Sequence, residues 1–122
     1  MPTILVVDDE PDIRNALRRL LVARGFEVVE AGNAAEGAAL ASGGGIDAIL
    51  CDIMMPGGSG LEFYDALVGP QPELAQRLVF LTAAAKEPEV LAQVEARDVP
   101  LLSKLYELEL AVDAVAVALL KR

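Results

Sequence analysis

Five short apolar runs, each followed by a stretch with helical spacing, constrain this chain more than any other feature. The runs are Thr3–Val7, Phe26–Ala31, Ile46–Ile53, Leu78–Leu81 and Val99–Leu102. All have strand length, and most are apolar without alternation, the pattern of strands covered on both faces. The intervening stretches predict helices. Pro11–Arg24 places Ile13, Leu17, Leu20 and Leu21 on one face and Arg14, Arg18 and Arg19 away from it, with Gly25 as the stop. Asn33 is an N-cap for Ala34–Ala41. Gly60–Leu67 carries Leu61, Tyr64 and Leu67 at helical spacing before Gly69-Pro70-Gln71-Pro72 breaks it. Glu87–Ala96 turns Val90, Leu91 and Val94 inward, and Leu108–Leu120 is the last helix. Pro100 cannot donate to a ladder and so suits an edge strand. Strand then helix, five times over, predicts an α/β fold: a doubly wound five-stranded parallel sheet with helices on both faces. The 122 residues make one domain.

The carboxyl ends of parallel strands share one edge, and ligands bind there. The first strand ends in Asp8-Asp9-Glu10, the third in Asp52, the fourth in Thr82-Ala83, and the fifth is followed by Ser103-Lys104. Three consecutive acids repel one another and need a cation or full solvation. One of them has an alternative role as the cap of the next helix, which Pro11 supports. Asp52 alone fits three roles: metal ligand, nucleophile or turn residue. Thr82 alone reads as an ordinary strand-end threonine. Gathered at one edge, the groups suit phosphoryl transfer. Mg²⁺ binds a few carboxylates together with waters and phosphate oxygens. Asp52 keeps an oxygen free to attack phosphorus, and catalysis is then positioning and neutralisation by the cation and by Lys104. The Thr82 hydroxyl and the Ala83 amide are placed to hold a remaining oxygen. The product is an acyl phosphate on Asp52.

Composition removes other chemistries. Histidine is absent, which excludes a phosphohistidine, a histidine base and histidine-ligated metal. A net charge of −9 repels nucleic-acid phosphates, so no nucleic-acid partner is expected. The single Cys51 forms no internal disulfide, which suits the cytoplasm. No stretch is long and apolar enough for a membrane span, and Met1-Pro2-Thr3 lacks a basic signal-peptide start.

Taken together, Val6-Val7-Asp8-Asp9-Glu10, Asp52-Ile53-Met54-Met55-Pro56-Gly57-Gly58-Ser59-Gly60, Leu81-Thr82-Ala83 and Ser103-Lys104 resemble the receiver domain of two-component response regulators, across the whole chain. The resemblance implies a flavodoxin-like (βα)5 fold and a phosphoacceptor Asp52 charged by a histidine kinase or histidine phosphotransfer protein. It implies Mg²⁺ held by Asp9, Asp52 and the Met54 carbonyl, with Asp8 acting through water. It further implies Thr82 as the switch hydroxyl and Lys104 as the phosphate partner, with Met54 and Ala84 flanking the path of the hydrolytic water. Such a domain is not an enzyme beyond its own phosphorylation and dephosphorylation.

Three positions depart from the family pattern. Leu105 stands where proline usually follows the lysine, often with a cis bond; Tyr106 replaces a common phenylalanine; Leu101 occupies the place of the switch aromatic. Ala84–Pro100 is more similar to receivers attached to hybrid sensor kinases. Leu101 and Leu105 motivate an alternative, a pseudo-receiver that binds partners without phosphate. An aspartate-nucleophile phosphatase of the haloacid dehalogenase kind would need an acid at Met54. The last helix is apolar nearly all round, which predicts a docking surface for a second copy, a kinase or a neighbouring domain.

Overall fold

The computed structural model describes residues 1–121. The elements run β1 (Thr3–Val7), α1 (Pro11–Ala23), β2 (Glu27–Ala31), α2 (Ala34–Ser42), β3 (Ala48–Asp52), α3 (Gly60–Val68), α4 (Pro72–Ala75), β4 (Leu78–Thr82), α5 (Pro88–Arg97), β5 (Leu101–Ser103) and α6 (Leu108–Ala118). All four strand pairings are parallel, in the order β2-β1-β3-β4-β5. The expected five-stranded parallel sheet is therefore present, with β3 at its centre.

Strand side chains alternate between faces, and two cores result. Leu5, Val7, Ile49, Cys51 and Phe80 pack against Ala41 of α2, Phe63 and Leu67 of α3 and Val94 of α5. Ile4, Val6, Leu50, Val79 and Leu81 pack against Leu17 and Leu21 of α1 and Ala111, Val112 and Val115 of α6. Every residue of β3 and β4 is buried. The edge strands β2 and β5 are only partly covered.

Several ends follow their local chemistry. The Asn33 side chain accepts from the Glu36 amide at 2.9 Å, as expected of an N-cap. Ser59 and Glu62 form a reciprocal capping box at the start of α3. Gly25, at φ +87°, ends α1 in the left-handed region open to glycine.

Other expectations are corrected. Gly69–Pro72 ends α3 at Val68 as expected, but Pro72 also opens the unexpected four-residue α4, which buries Leu74 and Ala75 in the core. Proline is preorganised for a first helical position, and Gln71 Nε2 anchors the turn on the Ala41 carbonyl at 3.0 Å. One turn is too short to carry a period, so its apolar pair was not legible as a helix. Leu91 is exposed rather than inward, because α5 turns Val94 to the sheet. No acid side chain caps α1: Glu10 is its N-cap residue without a side-chain cap bond. Pro100 lies just before β5, and its carbonyl accepts from Phe80 N at 2.9 Å. The Lys104–Leu105 bond is trans.

Candidate functional site

The carboxyl edge of β1, β3, β4 and β5 forms an acidic pocket closed by one ammonium. Asp8 follows β1, and its amide continues the ladder to the Ala31 carbonyl at 3.1 Å. Its Oδ1 accepts the Glu10 N–H at 2.8 Å, a turn that aspartate favours. Arg14 Nη1 donates to the Asp8 carbonyl at 2.6 Å, tying α1 to this corner. Asp52 is the last residue of β3, and its Oδ1 accepts the Met54 N–H at 3.3 Å. Behind Asp52 the chain folds back so closely that a Cβ on Gly60 would lie 2.3 Å from the Asp52 carbonyl oxygen. Glycine is required there by contact, and Gly60 N bonds the Ile53 carbonyl at 2.8 Å.

Lys104 leaves β5 with its amide on the Thr82 carbonyl at 3.2 Å. Its side chain reaches inward, and Nζ donates to Asp52 Oδ2 at 2.8 Å and to Asp8 Oδ2 at 3.4 Å. Glu10 Oε1 stands 2.6 Å from the same ammonium. Asp8 and Asp52 are each 1% exposed and Lys104 6%. Buried charges of this kind persist because they are paired.

Burial is the main force on Asp52 and, helped by the repulsion of Asp8, raises its carboxyl to about 6 against the lowering pull of Lys104. Asp8 is also raised, by burial first, with the Glu10 amide and Lys104 working the other way. Burial acts to lower Lys104, but the Asp52 and Glu10 carboxylates outweigh it and hold the ammonium above its ordinary value. The Cys51 thiol, on the opposite face of β3, is pushed up by burial and then by Asp52 and Asp8. It stays a neutral core side chain with no part in the pocket's chemistry.

The pocket thus unites Asp8, Asp52 and Lys104 from three strands. Asp9, half-buried, joins Asp8 and Glu10 in a group whose carboxylate oxygens lie within 4.8 Å of one another. Asp52 stands outside that group of three. Thr82 is fully buried at the end of β4, and its Oγ1 accepts the Ala84 N–H at 3.1 Å. Ala83 is exposed at the opening, as is the Met54 side chain. The one participant that sequence reasoning did not place is Glu10. Its neighbourhood to Asp8 and Asp9 was legible, but the reach of its side chain to Lys104 was not.

Four carboxylates gather here, three of them paired with one ammonium, an excess of negative charge made entirely of hard oxygen donors. Such a donor set fits a divalent cation of the Mg²⁺ kind.

Residues 4–116 match the family model of the response regulator receiver domain. The chain belongs to that family.

This receiver is 34% identical to protein PetR of Rhodobacter capsulatus, over 87% of this chain and 44% of PetR. It is 34% identical to the nitrate/nitrite response regulator protein NarP of Escherichia coli, over 92% of this chain and 52% of NarP. The chain therefore spans about half, or less, of these curated relatives. Among solved structures, the response regulator protein TrrA of Thermotoga maritima, in complex with Mg²⁺-BeF, superposes with a TM-score of 0.83 at 31% identity, covering 97% of this chain and 99% of TrrA. The Vibrio cholerae chemotaxis protein CheY4 has a TM-score of 0.83 at 28% identity, covering 97% and 98% of the two chains.

Proposed function

We propose that this receiver accepts a phosphoryl group on Asp52 in a Mg²⁺-dependent two-component phosphorelay. The observation that carries the reading is the Lys104 ammonium shared between two almost fully buried carboxylates, Asp8 and Asp52. That arrangement supplies a nucleophile and a counter-charge at a buried strand end.

In the transfer, an Asp52 carboxylate oxygen bonds to phosphorus as the donor's N–P bond breaks, its electron pair returning to the imidazole nitrogen. Lys104 neutralises charge on the phosphoryl oxygens. The Met54 amide steadies the carboxylate, and the Thr82 hydroxyl and Ala83 amide face the phosphoryl group once it is bound. Mg²⁺, when bound, supplies neutralising positive charge at the same oxygens. Asp9, Asp52 and the Met54 carbonyl would hold it, with Asp8 through water; Asp8 and Asp9 belong to the acidic group described above. The chain contains no histidine, so the donor imidazole comes from elsewhere: a histidine kinase or a histidine phosphotransfer protein. The solved complex of TrrA with Mg²⁺-BeF supports the same cation here. Among the described residues no helix is long and apolar enough to cross a membrane. With the acidic composition, this supports a cytoplasmic module with protein partners. Besides the phosphodonor, a partner on the outer side of α6 is proposed, where Leu110 and Val117 are exposed, as is Leu120 just beyond it.

Incubation with Mg²⁺ and acetyl phosphate tests the reading. The expected product is protein carrying one phosphoryl group that hydroxylamine removes, with none on Asp52→Asn. A folded protein that takes no label supports the pseudo-receiver instead. Catalytic consumption of the donor supports the phosphatase.

A further inference from the structure

Lys104 is divided among three carboxylates, and the nearest is not the acceptor. Glu10 Oε1 lies 2.6 Å from Nζ, Asp52 Oδ2 2.8 Å and Asp8 Oδ2 3.4 Å. Nζ hydrogen-bonds Asp52 and Asp8 and forms an ion pair with Glu10.

The three acceptors are not equivalent. Asp8 and Asp52 are buried and each is also held by a backbone amide, of Glu10 and Met54 respectively. The Glu10 side chain is 54% exposed. Although Glu10 is the N-cap residue of α1, its carboxylate makes no cap bond, so it serves no backbone group there. An exposed acid that gives up its partner is rehydrated at little cost, whereas Asp8 would be left as a buried charge without its pair.

A phosphoryl group on Asp52 presents strong new acceptor oxygens, and these compete for the Lys104 ammonium with the three carboxylates already paired to it. Of the three contacts, burial singles out Glu10 as the one released at least cost. We propose that Glu10 is a positioning residue that clamps Lys104 in the unphosphorylated receiver, and that release of this pair restrains formation of the phosphorylated state. This deepens the phosphoacceptor reading and rests on it. Glu10 is not a catalytic residue in this account; it acts through Lys104.

The test compares wild type with Glu10→Gln, which keeps the shape and removes the charge. Glu10 also belongs to the acidic group with Asp8 and Asp9, so Mg²⁺ affinity is titrated separately and labelling is followed at saturating Mg²⁺. Glu10→Gln is expected to label from acetyl phosphate about three- to fivefold faster, the scale of one half-exposed ion pair, with an unchanged urea midpoint. A second readout needs no phosphoryl chemistry. Trace acetylation with acetic anhydride, read by peptide mass spectrometry, compares Lys104 with Lys86 and Lys121 in the same molecule. Release of the clamp raises the relative reactivity of Lys104 in Glu10→Gln. Equal labelling rates and equal Lys104 reactivity in the two proteins overturn the inference while leaving Asp52 as acceptor. Absence of label on wild type overturns the phosphoacceptor reading instead, and the acetylation result then still decides whether the clamp exists.

Discussion

Asp52 is held between two demands. Its position on the central strand, 1% exposed, disfavours its charge, and burial accordingly raises its carboxyl to about 6. A nucleophile needs that charge, and at neutral pH Asp52 still has it. The sign of the consequence is definite. The folded protein binds this proton more tightly than the unfolded chain, whose carboxyl titrates near 3.8. Stability from this linkage is therefore full below about pH 4 and is lost as pH rises through about 6. In Mg²⁺-free buffer, Asp52→Asn should exceed wild type in unfolding free energy at pH 7 and above by about 2–3 kcal/mol. That advantage should vanish as the pH falls to 4. Urea unfolding of both proteins at several pH values checks it, and a pH-independent difference would contradict it. The acid and its strand-end position were legible in the sequence. The depth of its burial was not, because burial is set by packing of segments distant in sequence.

At the scale of elements, the loop after β3 shows how a turn is held to tolerance. Gly60 begins α3 within contact distance of the Asp52 backbone, while Ser59 caps the same helix. Ser59→Ala removes a cap and should cost about 1 kcal/mol. Gly60→Ala forces backbone apart and should cost about 1–3 kcal/mol and also slow phosphorylation, since Asp52 moves with its carbonyl. Urea midpoints and labelling rates of the two variants separate capping from positioning. The last helix makes a different statement. Its inner face, Ala111, Val112, Val115 and Ala118, is buried, but Val117 is 61% exposed. Val117→Glu should leave the fold intact and weaken either self-association or kinase docking, measured by sedimentation and by phosphotransfer against wild type; a monomeric wild type at all concentrations with phosphotransfer unaffected would refute a docking role. Helices with a clear period, such as α1, were readable from sequence. The one-turn α4 and the orientation of Leu91 on α5 were not, since both depend on which neighbour a short segment meets.

For the whole molecule, four carboxylates concentrated at one sheet edge make the fold a sensor of its own counter-charge. A cation that binds the native pocket stabilises the native state, by about 2.7 kcal/mol at a hundred times its dissociation constant. Mg²⁺ should therefore raise the midpoint of thermal unfolding. Asp9→Ala should lose most of that rise and Asp8→Ala less, because Asp8 is engaged with Lys104 and the Glu10 amide. Equal losses in a calorimetric Mg²⁺ titration would contradict this ordering. The sequence by itself determined the alternation of strand and helix and the residues that end each strand, because apolar period, proline and glycine act locally. It also determined that acids, threonine and lysine share one edge, since parallel strands bring their carboxyl ends together. Only the tertiary structure decided which carboxylates share the ammonium, that Thr82 turns its oxygen to the Ala84 amide, and that Glu10 is the nearest partner of Lys104. Those are matters of side-chain reach across strands distant in sequence, and no local pattern encodes them.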